Sequence, residues 1–267
     1  MSIAVITGAS SGIGREFLHQ ICQANPVYDE IWILSRSADK LAELRESLDN
    51  HKIVPLAVDL ASREGRETFY ALLSEKQPEI GLLIQCAGLG IIGEAETLTP
   101  ADIRSMIDLN CTALTEITTT AILYMRPLAA RAKRGQGPRI IHMASSAGFL
   151  SQPGFSVYAA TKSYVINYSR ALHRELLSRN IRVTVVCPGP VSTEFMAKAA
   201  GTEGYTHQGI KSLFIVQPEG LVNKSLLASE KGRSLYTYSL PQKSLRLAAK
   251  LLPHRLLIWL SAKSVSK

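Results

Sequence analysis

The chain has 267 residues, 46% of them hydrophobic and 19% charged, with a net charge of +8 at neutral pH. That length allows one or two domains around a large core, and the balance excludes wholesale disorder. No apolar run reaches the roughly 20 residues that cross a membrane, and the scattered Cys22, Cys86, Cys111 and Cys187 form neither a CxxC pair nor a set with histidine at metal-ligand spacing, so reduced thiols and no metal site are expected.

The opening "SIAVITGAS" has no basic, long-apolar leader pattern, and a cytoplasmic protein is expected. Charge is unevenly distributed along the chain. No acidic residue follows Glu230, whereas Lys231, Arg233, Lys243, Arg246, Lys250, Arg255, Lys263 and Lys267 do. A neutral body with a basic tail argues against a nucleic-acid partner.

In chain order, short runs rich in β-branched and large apolar residues at 3–7, 31–34, 53–58, 82–85, 139–143 and 182–186 predict strands covered on both faces. Helical patterns at 14–24, 40–48, 63–75, 100–128 and 158–178 alternate with them. The alternation predicts an α/β protein with a Rossmann-type, doubly wound parallel sheet in three α/β/α layers. Right-handed crossovers would then align the strands' carboxyl ends along one ligand-binding edge. The stretch 131–139, "RAKRGQGPR", predicts a solvated loop.

Directly after the first strand, residues 7–14 read "TGASSGIG". The GxxxGxG spacing differs from the GxGxxG fingerprint, yet its physical parts match. Gly8 gives a sharp exit from the strand, Gly12 a close backbone approach, and Gly14 tight packing of the first helix. The free N–H groups of that helix suit a pyrophosphate. The second strand ends Leu34-Ser35-Arg36. A carboxylate here would select a ribose 2′-hydroxyl, whereas Arg36 suits a 2′-phosphate and predicts NADP(H).

The remaining features come in a fixed order. Asp59 and Leu60 follow the third strand, and Gln85-Cys86-Ala87-Gly88 the fourth. Asn110 lies within a helix and Ser145 follows the fifth strand. Tyr158 and Lys162 stand four apart, and Pro188, Gly189, Val191 and Thr193 follow the sixth strand. With the glycine turn, this set resembles the short-chain dehydrogenase/reductase family across residues 1–200.

The resemblance implies that Gly8, Ser10, Ser11, Gly12, Ile13 and Gly14 form a pyrophosphate loop. Asp59 and Leu60 would flank the adenine. Ala87, Gly88, Pro188, Gly189, Val191 and Thr193 would complete the cofactor site. Asn110, Ser145, Tyr158 and Lys162 match the catalytic tetrad. Lys162 also binds the nicotinamide ribose in that family, and Asn110 positions a proton-relaying water. Ser145 fits better than Ser146 because its spacing of 13 to Tyr158 is the family's. Gln85-Cys86 departs from the family's Asn-Asn, which puts one side-chain contact in question.

The chemistry justifies these residue types independently. A phenol of pKa near 10 is a poor acid/base at neutral pH, and a lysine one helical turn away, together with an oxidised nicotinamide nearby, is expected to move Tyr158 toward the operating range. Tyr158 would then exchange a proton with the oxygen of a carbonyl or secondary alcohol, while Ser145 holds that oxygen.

Residues 1–240 are expected to form one dehydrogenase domain with a substrate lid at 193–216, followed by a basic amphipathic extension at 241–267. The lid's Phe195 and Met196 suggest an apolar substrate. The extension could meet an anionic membrane, or it could pack on the body or a neighbouring subunit. From Tyr158 onward the chain also resembles the branch containing 3-oxoacyl reductases and 17β-hydroxysteroid dehydrogenases, which implies a lipid- or steroid-like substrate. The family implies a homodimer or homotetramer. Alternatives are a catalytically idle NADP(H)-binding sensor or scaffold, and a 3-oxoacyl carrier-protein reductase whose basic tail attracts an acidic carrier.

Overall fold

Alternation along each strand divides the core into two. In β1 (Ser2–Thr7), Ala4 and Ile6 face one cluster and Ile3 and Val5 the other. Successive side chains of a strand point to opposite faces, so a strand apolar at every position needs cover on both. The computed structural model describes residues 1–24, 28–126, 137–201 and 215–262.

Helices α1 (Gly12–Gln23), α2 (Ala38–Ser47) and α8 (Pro218–Glu230) cover the first face with Phe17, Leu18, Leu41, Leu221 and Val222. Helices α3 (Arg63–Lys76), α5 (Leu114–Leu123) and α6 (Ser156–Glu175) cover the second with Phe69, Leu73, Ile117 and Leu172. The result is the predicted three-layer arrangement.

The sheet adds β2 (Glu30–Ser35), β3 (Ile53–Ala57), β4 (Glu79–Gln85), β5 (Arg139–Met143), β6 (Arg182–Val186) and β7 (Leu235–Tyr236). Its seven strands run β3-β2-β1-β4-β5-β6-β7, and every pairing is parallel. The chain builds outward from β1 to β3 and returns to place β4 on the other side of β1. Thr7 and Gln85 end that pair in register. The crevice where the order reverses is where such sheets bind ligands.

The predicted helix over 100–128 is not continuous. Helix α4 (Pro100–Ile107) starts on a capping box, Thr99 with Asp102. It then widens into a π-helical stretch, Asp108–Ala113, before α5. No proline or glycine occurs there. The widening instead sits where Asn110 turns inward, completely buried, to bond the backbone of another segment. Residues 127–128 of that prediction, and most of the predicted loop at 131–139, lie outside the described residues.

The described residues also form α7 (Phe195–Ala200), α9 (Leu240–Leu251) and α10 (His254–Ala262). Most of the predicted lid, 202–214, lies outside the described residues. No described helix is long and apolar enough to cross a membrane.

Candidate active site

The glycine turn occupies the crevice. Gly8 takes φ +68°, and a Cβ there would stand 2.7 Å from Ala87 N, the backbone leaving β4. At Gly14 a Cβ would overlap the carbonyl of Gly8, which holds the helix start against the strand exit. Gly12, at φ +51°, faces the Thr193 methyl group at 3.2 Å from its would-be Cβ. The segment after β6 therefore reaches across to the turn. Ile13 packs into the core beneath it.

Ser11 is the N-cap of α1, yet its side chain makes no capping bond and the first turn carries no acidic residue. The orphan N–H groups and the positive end of the helix dipole meet no acidic side chain in the helix's own first turn. Ser10 lies half-buried on the same turn. A phosphate-bearing cofactor fits a helix start of this construction.

Arg36 follows β2, exposed, and makes no ion pair with a described residue. Ser35 accepts from Ser37 N at 3.1 Å and offers no carboxylate. Asp59 is exposed after β3, its Oδ1 accepting from Ala61 N at 3.0 Å. Leu60 is only 4% exposed, with its side chain in the core, so its backbone is what can line the edge.

Ser145, Tyr158, Lys162 and Asn110 converge beyond the ends of β4, β5 and β6. Ser145 neighbours the Tyr158 hydroxyl, close enough to favour its phenolate form. Ser145 caps the short 3-10 turn Ser146–Phe149, its Oγ accepting from Ala147 N at 3.1 Å. Ser146 N is instead committed to Pro188 O at 2.7 Å, which ties the β5 and β6 exits together. Asn110 Oδ1 accepts from Leu89 N at 2.9 Å, and Nδ2 donates to Leu89 O at 2.7 Å and Thr161 Oγ1 at 3.0 Å. Gly88 sits between the groups: a Cβ there would be 3.2 Å from Asn110 Oδ1 and 3.3 Å from Lys162 Nζ.

Lys162 is 4% exposed and donates to Met143 O at 3.0 Å. Burial pulls its pKa down to about 8, opposed by the neighbouring thiols of Cys111, Cys86 and Cys187. For Tyr158 the protein's own groups act in the direction opposite to the expected shift. Burial pushes the phenol up to about 12, and Ser145 only partly opposes this. Lys162 Nζ lies 5.6 Å from the ring centroid and spends its bond on the Met143 carbonyl, so desolvation of the hydroxyl prevails.

Two rings flank the tyrosine. Phe155 stacks on it at 4.2 Å between centroids and Phe195, from α7, tilts against it at 5.6 Å. Gly90 leaves room for all three rings. The wall beside the hydroxyl is accordingly apolar, with Leu89, Ile91 and Met106 behind it.

Gln85, buried at the end of β4, donates to Leu114 O at 3.0 Å and Thr118 Oγ1 at 2.6 Å. Cys86 is a free thiol with its pKa raised by burial, while its backbone N–H bonds Thr7 O at 3.2 Å. Val191 pairs with Val216 in an isolated bridge that shapes the segment from Pro188 to Thr193.

Sequence patterns missed two contributors. Thr161, which braces Asn110, is buried one residue from Lys162 and carries no spacing signal. Gln242 of α9 is 5% exposed and covers Gly189, whose would-be Cβ lies 2.7 Å from the glutamine Cδ. Its Oε1 is buried without a hydrogen-bond partner among the described residues.

Comparison with known proteins shows the family. The family model described as short chain dehydrogenase matches residues 2–204. A sulfoacetaldehyde reductase of Chromohalobacter salexigens is 31% identical over 201 residues, 73% of this chain and 75% of that protein. A 3-dehydrosphinganine reductase of Arabidopsis thaliana is 32% identical over 189 residues, 70% of this chain and 54% of that one. A solved short-chain dehydrogenase from Sphingobium yanoikuyae in complex with NADPH superposes with a TM-score of 0.77 at 25% identity, covering 94% of each chain.

Proposed function

This chain belongs to the short-chain dehydrogenase family, and from that premise we propose that it is an NADP(H)-dependent oxidoreductase interconverting a carbonyl and a secondary alcohol on an apolar substrate. The observation that carries the proposal is the convergence of Tyr158, beside Ser145, with Lys162 one helical turn away and Asn110 behind it.

A bound nicotinamide cofactor supplies or accepts the hydride. The uncapped start of α1 would hold its pyrophosphate, Asp59 and the Leu60 backbone would flank the adenine, and Arg36 would select the 2′-phosphate. Ser145 Oγ would donate to the substrate oxygen. With its pKa raised to about 12, Tyr158 carries its proton throughout the neutral range and would release it to that oxygen as negative charge develops there. Lys162, charged below about pH 8, would stabilise the phenolate left behind. Phe155 and Phe195, packed against the Tyr158 ring, would limit water there and favour an apolar group beside the carbonyl.

A 3-dehydrosphinganine reductase among the relatives supports a lipid-like substrate, and a sulfoacetaldehyde reductase shows that small polar aldehydes occur at similar identity. NADPH in the Sphingobium yanoikuyae complex supports the cofactor choice. We also place the protein in the cytoplasm as a homodimer or homotetramer; exposed Ile107, Leu123 and Tyr164 on α4, α5 and α6 support such assembly.

The test is NADPH oxidation over steroids, 3-oxoacyl thioesters and small aldehydes, with Tyr158→Phe alongside. Turnover should fall about 100-fold or more in the variant with NADPH binding intact. Unchanged turnover would remove Tyr158 from the chemistry, and silence of the wild type with NADPH bound would favour the idle sensor.

A further inference from the structure

We propose that α9 and α10 form a docking surface for an anionic lipid bilayer, beside the candidate active site. The starting observation is that α9 has two unlike faces. Its inner face packs on the turn Ser146–Phe149, with Gln242 buried over Gly189 and Leu245, Arg246 and Ala249 half-buried.

Its outer face carries Leu240, Leu247 and Leu251, exposed by 75%, 58% and 72%. Spacings of seven and four residues set these three in one stripe along the helix. The apolar surface continues through Leu252 and Leu256 to Trp259, each exposed by 43% or more. Contiguous exposed apolar surface of this kind marks an interaction site.

Charge identifies the occupant. Lys243, Lys250 and Arg255 are exposed along the same two helices, and no acidic residue occurs anywhere after Glu230. A second copy meeting this face about a two-fold axis would bring like cations together with no carboxylate from either α9–α10 pair. An anionic bilayer meets both features: headgroups attract the cations while leucine and tryptophan enter the interface. The inner face lets the same helix close the wall of the candidate site at Gly189. Docking follows from the outer face alone and stands whether or not the proposed substrate is lipid-like.

The experiment is flotation of the full-length protein with phosphatidylcholine vesicles and with vesicles that also contain phosphatidylserine. The wild type should float with the anionic vesicles, far less with the neutral ones, and lose partition as salt rises. Lys243→Gln with Lys250→Gln should lower anionic partition roughly 25-fold, about fivefold per cation removed. Leu247→Asp with Leu251→Asp should abolish flotation while circular dichroism stays unchanged, since both leucines are exposed. A wild type that does not float, or leucine variants that float undiminished, would overturn the proposal. So would a wild-type dimer that never floats and becomes monomeric in the leucine variant by sedimentation velocity, because the stripe would then be a subunit contact.

Discussion

Replacing Lys162 by methionine should abolish activity and stabilise the fold at the same time. Burial holds the lysine pKa at about 8, against 10.5 for the exposed group. At pH 7 the ammonium is charged in both folded and unfolded chains, and that depression corresponds to a penalty of about 3 kcal/mol on the folded state. Removing the amine also loses the hydrogen bond to Met143 O, about 1 kcal/mol. The net gain is about 2 kcal/mol.

Between the two pKa values the unfolded chain binds more protons than the folded one, so wild-type stability rises with pH relative to the variant. At pH 10 the penalty has shrunk to about 1 kcal/mol and the two proteins should be equally stable. Urea unfolding followed through buried Trp32, at pH 7 and pH 10, measures both gaps. A variant less stable than wild type at pH 7, or a gap that does not change between the two pH values, would refute the placement of Lys162 as a buried, uncompensated charge. Turnover should fall about 100-fold or more in the same variant.

Arg36→Ala should weaken NADPH by about 10- to 100-fold through loss of charge-assisted hydrogen bonds and leave NADH nearly unchanged; equal losses in titrations of both cofactors would sink the assignment. Gly14→Ala drives a Cβ into the carbonyl of Gly8, with the carbonyl carbon at 2.7 Å, and should cost about 3 kcal/mol in denaturant unfolding together with cofactor affinity. Phe195→Ala removes one of the rings beside Tyr158 and should raise KM roughly tenfold for bulky apolar ketones. Steady-state kinetics on a small aldehyde, with KM unchanged, is the control.

Most of the sheet was legible because six of its strands are apolar at successive positions. β7 was not: Leu235–Tyr236 is only two residues long and gains its place by pairing with Val185 and Val186. The glycine turn and the order of Asn110, Ser145, Tyr158 and Lys162 were legible because each chemistry demands a residue type at a strand end or helical spacing. The π-helical stretch around Asn110 was hidden. Its cause is a bond to Leu89, which lies 21 residues away in the chain. Gln242 was hidden for the same reason, because its partner Gly189 belongs to a distant segment. The protein's own upward push on the Tyr158 pKa was hidden on a different ground: sequence shows which charges are near, whereas burial is a property of the folded packing.

Two titratable groups on adjoining elements show how differently burial can be tolerated. His142, fully buried on β5, has its pKa pushed down to about 3. It stays neutral at pH 7, with both ring nitrogens bonded, to Thr118 Oγ1 at 3.0 Å and Ser169 Oγ at 2.8 Å. A neutral, fully bonded imidazole costs the fold little. Lys162 is nearly as deep, but it remains charged below about pH 8 and forms no ion pair with a described residue. Packing alone would favour an apolar side chain of similar volume at that position. A charge kept where stability opposes it supports the catalytic role proposed for Lys162. Histidine 142 belongs to the scaffold by the same criterion, and exchanging it for another neutral residue able to bond Thr118 and Ser169 should leave the chemistry intact.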